Sequence, residues 1–358
     1  MKLYLQSDVY SEAVKRLKDI YSKVDQIAVA YSGGKDSTVC LYLVLETKPK
    51  DMPMFVYFVD KESNLLSTEE YIQRQFDKIQ KEYADCNVHL MWVCLPLKEI
   101  NAMSFYHPYY YCWDETKKDI WVYDMPDRDY VINEHNNPLA EFGYDKENKV
   151  IYTAIDKYIS DNSKKVTGVI VGLRADESLN RYRAVTKHKH LGVSYCTKTI
   201  ENVYNFYPIY DWDFRDVWKY HFDKGIEVNP IYQKMWLKGV FKREMRISQS
   251  FAGVPKKTLP LYRELEPESF EKFCKRVEGI NSLTHVDLNV IKKLCDNVQY
   301  DYLYECLPEV YQKALDKTKR NTKDRETIKA ILNGDIRLKR KAEKRNKNEV
   351  VDKWKEKV

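Results

Sequence analysis

The chain has 358 residues, with 60 Lys+Arg against 54 Asp+Glu and a formal net charge of +6. Hydrophobic residues make up 44% and charged residues 32%, enough apolar material for a real core, which excludes wholesale disorder. No run approaches the ~18 apolar residues of a membrane helix, and the N-terminal stretch lacks the apolar segment of a secretory signal.

Residues 8–22 carry helical periodicity through Val9, Ala13, Val14, Leu17, Ile20 and Tyr21. The apolar run Ile27–Tyr31 reads as a buried strand, followed by Ser32-Gly33-Gly34-Lys35-Asp36-Ser37 and a helical stretch from Thr38 to Leu45. Met54–Val59 is a second buried strand, ending at Asp60. Ser67 precedes Glu70 at capping-box spacing, which predicts a helix running to about Tyr83. Val88–Leu95 and Val166–Leu173 are the third and fourth strands. Strands alternating with helices predict an α/β fold, a doubly wound, mostly parallel sheet covered on both faces. Between the third and fourth strands lies an aromatic-rich insertion, about 96–150, with Tyr106, Tyr109, Tyr110, Tyr111, Trp113, Trp121 and Tyr123; packing as a small subdomain is favoured over lining a site.

From Asp213 onward the pattern is helical, near 213–224, 230–238, 267–279, 287–297, 308–319 and 322–333. The implied domains are 1–240, a helical C-terminal domain 241–334 and a basic tail 335–358. Charge is segregated: residues 317–358 hold 16 basic and 7 acidic residues, a net of +9, leaving −3 for the rest. Such a segment could neutralise nucleic-acid phosphates or serve as a solvated helix face or end. The eight cysteines include no CxxC pair, so a disulfide framework and a structural zinc site are disfavoured and a reducing cytoplasm is expected. Cys40 and Cys94 read as buried thiols.

The chemistry concentrates at the first strand–loop–helix. Glycine is scarce, 11 residues in all, yet Gly33 and Gly34 are adjacent; both can take positive φ and let the backbone approach a ligand. The helix N-terminus favours an anion. Lys35 adds a point charge for phosphate, and Ser32 and Ser37 add hydroxyl donors. Asp36 would be repelled by bare phosphate, so its presence points to Mg²⁺ bridging it to pyrophosphate. A Walker loop is excluded, because positions 29 and 36 are Val29 and Asp36 rather than glycine and Ser/Thr.

Val29 to Ser37 resembles the pyrophosphate loop of the adenine-nucleotide α-hydrolase superfamily (PP-loop ATP pyrophosphatases), whose members split ATP between the α and β phosphates. Within it the chain resembles the phosphoadenosine-phosphosulfate (PAPS)-reductase-like proteins of phages and mobile elements, including the immunoglobulin-binding regulator proteins. Gly172-Leu173-Arg174-Ala175-Asp176-Glu177-Ser178, with Arg181 and Arg183, is similar to the second signature of these proteins. Tyr207 to Trp212 with Asp216-Val217-Trp218 is similar to the segment that closes their site, and Met245 to Gln249 also fits the subgroup. The resemblance implies a sheet of the adenine-nucleotide α-hydrolase type, ATP and Mg²⁺ as ligands, a ParB-like partner protein and a mobile-element or phage-defence setting. It departs from the true reductases in three ways. They carry a nucleophilic cysteine in a Glu-Cys-Gly-x-His segment, whereas here Cys306 is followed by Leu307-Pro308 and no cysteine comes after it. The Cys-Cys and Cys-x-x-Cys ligands of their iron–sulfur subgroup are missing, and this chain keeps Lys35 and Asp36, which true reductases usually lose and ATP-splitting relatives keep.

The expected catalytic residues are therefore Lys35, Asp36, Arg174 and Arg181. Nucleotide contacts are expected from Ser32, Gly33, Gly34, Lys35, Asp36, Ser37, Asp60, Gly172 and Arg183, with Asp36 holding Mg²⁺. Guanidinium forks at Arg174, Arg181 and Arg183 suit phosphate or sulfate; the alternative is surface pairing with Asp176 and Glu177. Asp60 suits ribose, adenine or metal contact, or helix capping. His188 and His190 lack a third metal ligand, and Trp212 and Trp218 read as core. Three functions follow: an adenylylating, ATP-splitting enzyme; a thiol-dependent sulfonucleotide reductase using Cys112 or Cys196; and a nucleotide-sensing regulator contacting nucleic acid through 317–358.

Overall fold

A computed structural model of the chain describes residues 6–104, 107–147, 150–186, 189–240, 245–247, 250–251 and 259–280. The segments 287–297, 308–319 and 322–333, the tail 317–358, Tyr106, His188, Ser248 and Gln249 lie outside the described residues. In chain order the elements are α1 (Val9–Tyr21), β1 (Gln26–Ala30), α2 (Lys35–Thr47), β2 (Met54–Val59), α3 (Leu66–Glu82), β3 (Val88–Val93), β4 (Leu97–Ile100), β5 (Tyr109–Cys112) and β6 (Val131–Ile132). There follow α4 (Ile151–Ile159), β7 (Thr167–Ile170), α5 (Leu179–Thr186), β8 (Cys196–Ile200), β9 (Val203–Phe206), α6 (Phe214–Asp223), α7 (Pro230–Leu237), α8 (Leu259–Leu265) and α9 (Pro267–Arg276). No helix of the described residues is long and apolar enough to cross a membrane.

The main sheet has seven strands in the order β6-β3-β2-β1-β7-β9-β8. All neighbours run parallel except β8, which is antiparallel to β9. Ile27, Ala28 and Val29 of β1 have no exposed surface, as expected where helices cover both faces of a parallel sheet and the strand reads as a continuous apolar run. The α/β class and the four strands read from the sequence stand, but β6, β8 and β9 were not expected. Polar residues interrupt β8 and β9, and β6 has only two residues, so none presents an unbroken apolar run.

The start of α3 also differs from expectation. Ser67 is not the cap: the helix begins at Leu66 after Leu65, and no side chain of its own caps it. Its first N–H groups are satisfied from 199 and more residues away. Leu66 N–H donates to Ser269 Oγ at 3.0 Å, and Ser67 N–H donates to the Glu266 carboxylate at 3.3 Å. Ser67 Oγ is itself buried with no partner among the described residues. Burial alone would raise the Glu266 pKa, but Lys234, Ser269 and Ser67 outweigh it and hold it below the usual carboxylate range. Glu266→Ala is therefore expected to cost ~1–2 kcal/mol, the worth of a lost helix cap, whereas Ser67→Ala stays within about 0.5 kcal/mol. Urea midpoints of the two variants check this; equal losses would restore Ser67 as the cap.

The aromatic insertion packs. Tyr110, Trp113, Trp121 and Tyr123 are buried while Tyr109 stays exposed. Beside its hairpin, β4 with β5, a polar knot forms at the end of β2. Glu62, at φ +51°, accepts both forks of Arg276 at 2.6 and 2.8 Å, together with the N–H groups of Trp113 and Val122. Arg276 also donates to the Tyr111 carbonyl.

By compactness the chain divides into Met1–Ile100 with Tyr109–Arg276, and Asn101–Pro108 with Val277–Val358. Within the second unit, Asn101 Nδ2 donates to the carbonyls of His107 and Glu278.

Candidate active site

From β1 the strand order proceeds one way through β2, β3 and β6, then returns to β7 on the other side of β1. In an open α/β sheet, such a reversal leaves a crevice beyond the carboxyl ends of the two diverging strands, where ligands bind. Two segments stand there: 31–37 after β1, and 171–178 after β7. These are the two stretches singled out in the sequence as chemistry-bearing.

Gly33 adopts φ +68°, and a Cβ there would lie 2.6 Å from Ile72 Cγ1. No other residue satisfies both the conformation and the approach. Gly34 differs from expectation, with φ −83° as the cap of α2; its need is for space, since a Cβ would come within 3.2 Å of Ser32 Oγ. The two serines close the turn: Ser32 Oγ and Ser37 Oγ lie 3.0 Å apart, and Ser37 Oγ donates to the Gly34 carbonyl. Helix α2 begins at Lys35 rather than Thr38, so Lys35, Asp36 and Ser37 form its first turn. Gly172 is a contact residue of this loop, for a Cβ on it would fall 2.7 Å from the Asp36 carbonyl carbon and 2.8 Å from Ser37 N.

The charges converge on Asp36. Its Oδ2 accepts from Lys35 Nζ at 2.8 Å and its Oδ1 from Arg174 Nε at 2.6 Å. Burial would raise its pKa, but the two cations outweigh that and hold it below the ordinary carboxylate value. Arg174 also pairs with Asp176 and Glu177, each at 3.0 Å. The surface-pairing alternative thus has the right partners but the wrong setting, since Arg174 is 4% exposed. Arg181 pairs with Glu177, so Arg174 and Arg181 meet through one carboxylate. Arg183, two residues on, is exposed and is not drawn into this network. The Ala175 N–H donates to the Tyr210 carbonyl at 2.8 Å, which places the 207–212 segment behind Arg174. Its Asp211 turns away to Arg16 of α1, and Trp212 is core.

Three residues that sequence reasoning missed hold the loop from the side of α6 and α7. Asn229 Nδ2 donates to the Gly33 carbonyl at 3.2 Å, the Lys35 N–H donates to Tyr232 Oη at 3.1 Å, and His221 Nε2 lies 3.0 Å from the Lys35 carbonyl. Burial lowers the His221 pKa, which favours a neutral ring donating through Nε2. The Asn229-Pro230 pair was a readable signal for the start of α7; nothing local signalled that this cap reaches the loop.

Asp60 sits one strand away and is wholly buried. Its carboxylate accepts from the Glu62 N–H, Trp92 Nε1 and Tyr123 Oη at 2.8–3.0 Å. In this arrangement it organises the turn after β2 and leaves no surface toward a ligand. Burial pushes its carboxyl up to about 6. Burial, and then the nearby Asp60, raise Glu69, which lies 3.0 Å from the same Tyr123 hydroxyl. One hydroxyl cannot donate to both at once, which adds to the cost of charging the two carboxyls together. His190 is held in a bridge with Val193, and no group of three metal-ligating side chains occurs among the described residues.

A protein-family model described as the phosphoadenosine phosphosulfate reductase domain matches residues 26–243. Among similar proteins, the uncharacterized protein YbdN of Escherichia coli (strain K12) is 29% identical over 287 residues, covering 78% of this chain and 68% of YbdN. The uncharacterized protein MJ0066 of Methanocaldococcus jannaschii is 26% identical over 223 residues, covering 62% of this chain and 37% of that protein. Similar solved structures include a PAPS reductase from Candida auris in a phosphate complex, 14% identical with a TM-score of 0.34 over 65% of this chain and 93% of that one. The U34-tRNA thiolase NcsA from Methanococcus maripaludis is 13% identical with a TM-score of 0.34, over 78% of this chain and 80% of its own. The family match spans more than half of the sequence and includes both segments at the crevice, so the chain belongs to the phosphoadenosine phosphosulfate reductase domain family.

Proposed function

We propose that this chain is an ATP-splitting enzyme that releases pyrophosphate and adenylylates an anionic acceptor, working in the cytoplasm. The observation that carries the reading is the Lys35–Asp36–Arg174 cluster, two buried cations on one carboxylate at the mouth of a glycine loop. A reductase that binds an intact sulfonucleotide has no use for this carboxylate, whereas a site for Mg·ATP does. The Asp36 carboxylate with the neighbouring Ser37 hydroxyl suits Mg²⁺, which needs only one or two carboxylates when phosphates complete its shell. Bound there, the metal would neutralise phosphate charge.

The loop Ser32–Ser37 receives the β and γ phosphates, with Lys35 exchanging Asp36 for phosphate oxygen. Arg174 and Arg181 exchange Glu177 for the acceptor oxyanion. The acceptor oxygen bonds to the α-phosphorus while the bond from that phosphorus to the bridging oxygen breaks, and pyrophosphate leaves. Positioning and charge neutralisation supply the catalysis, so no side-chain nucleophile is required.

The thiols support the same choice. Cys112 is fully buried with Sγ 3.6 Å from the Leu95 and Leu97 carbonyls, and burial raises its pKa. The Cys196 thiol is pushed up to about 12 by burial. Neither is a thiolate at neutral pH, which thiol-dependent reduction requires; Cys295 and Cys306 lie outside the described residues. Parallel assays test the proposal: labelled pyrophosphate released from ATP, and sulfite released from PAPS. Pyrophosphate without sulfite is expected. Sulfite production lost in Cys112→Ser or Cys196→Ser would replace this reading with the reductase.

A further inference from the structure

Beside the loop, on the side of α6 and α7, lies a cavity of about 460 Å³ walled by Phe214, Trp218, Pro230, Tyr232, Trp236 and Met245. That volume is in the range of small-molecule sites. The rings are set as a box: Trp218 stands edge-on to Tyr232, with centroids 5.5 Å apart at 88°, and tilted to Phe214 at 5.9 Å and 64°. Among the described residues, no acidic side chain lines it.

The cavity shares its walls with the phosphate loop. The Lys35 ammonium stands 5.5 Å from the Tyr232 ring centroid and 6.0 Å from that of Phe214, and it donates to the Met245 carbonyl at 3.4 Å. Tyr232 presents its ring to the cavity while its hydroxyl accepts the Lys35 N–H. The rim carries the Gln233 amide, which makes no hydrogen bond among the described residues.

From these walls we infer that the cavity is the acceptor site and takes a planar aromatic carboxylate. Flat aromatic walls favour a flat ring, through offset or edge contacts worth ~0.5–1.5 kcal/mol each beyond area burial. The lack of acidic side chains among the described lining residues, and Lys35 against two of the walls, favour an anionic group at the loop end. The acceptor role rests on the ATP-splitting reading; the aromatic site itself rests on the cavity. The step balances as acyl-adenylate formation. The carboxylate oxygen, already ionised, bonds to the α-phosphorus, the α–β bridge bond breaks, and pyrophosphate carries away the charge with no electron or proton left over.

Calorimetric titration of the full chain with 2-naphthoate tests this. One saturable site is expected, not competed by cyclohexanecarboxylate. Binding should weaken at least tenfold in Val228→Trp and in Gln233→Trp, which fill the cavity from two sides, with folding checked by circular dichroism. It should persist when Mg²⁺ and α,β-methylene-ATP are bound. Binding within twofold of wild type in both folded variants, or no saturable binding to the unmodified chain, would overturn the aromatic site. Mutual exclusion with the nucleotide analogue would overturn the acceptor assignment. Naphthoate binding to a chain that binds no nucleotide analogue would support the aromatic site and instead overturn the ATP reading.

Discussion

Lys35→Ala and Asp36→Ala are each expected to lower pyrophosphate release by ~10²–10³, the usual effect of removing one preorganised charge contact from a transition state. The geometry makes the two losses different in kind. Lys35 is 4% exposed and its ammonium is held by Asp36, the Met245 carbonyl and two aromatic rings, so it is already placed where phosphate charge develops. Removing it deletes the charge and leaves the Asp36 carboxylate countered by Arg174 alone. Removing Asp36 leaves Lys35 and Arg174 with their charges and without their shared anion, so phosphate binding itself should survive while the metal-dependent part of the rate is lost. Lys35→Ala should therefore raise KM and lower kcat, and Asp36→Ala should act mainly on kcat. Steady-state pyrophosphate release measured against Mg·ATP concentration separates them. Full activity in either variant would remove the ATP-splitting reading.

Arg276→Ala is expected to destabilise the fold by about 3–5 kcal/mol, because it strands a buried carboxylate without its counter-charge. Glu62 and Arg276 are 0% and 1% exposed at their side chains, so water cannot compensate either one. Glu62 also accepts from the Trp113 and Val122 N–H groups, and its loss would unsatisfy two donors of the aromatic insertion as well. Glu62→Gln retains the shape but presents an amide N–H₂ to those donors, so it should cost nearly as much. Replacing both partners, as in Glu62→Leu with Arg276→Met, should recover only the part of the loss due to the stranded charge, because the Trp113 and Val122 N–H groups would still lack their acceptor. Urea denaturation with unchanged m-values measures all three. A single-variant loss below about 1 kcal/mol would show that the pair is solvated in solution.

Much of the candidate site was legible because its parts are local. A buried apolar run followed by Ser32 to Ser37 specifies a strand, a turn and a helix start within a dozen residues, and the left-handed Gly33 is the kind of residue such a turn demands. The second segment was legible for a similar reason: Gly172 and Arg174 immediately follow an apolar strand. At the end of a strand, Asp60 suits a ligand contact and a backbone cap equally well, and burial among Trp92, Tyr123 and the Glu62 N–H gives it a structural task; position along a chain does not reveal what covers a side chain.

The sequence by itself determined the α/β class, the strand–turn–helix of the phosphate loop and the identity of the charged residues, because backbone preference and hydrophobic period act over a few residues. Only the tertiary structure decided which of those charges meet. Arg174 reaches Asp36 across 138 positions, Tyr232 reaches Lys35 across 197, and Arg276 reaches Glu62 across 214. Such pairings are set by which strands lie side by side. The reversal between β1 and β7 brings Arg174 to the loop, and the return of α6 and α7 over α2 and α3 brings His221, Asn229 and Tyr232.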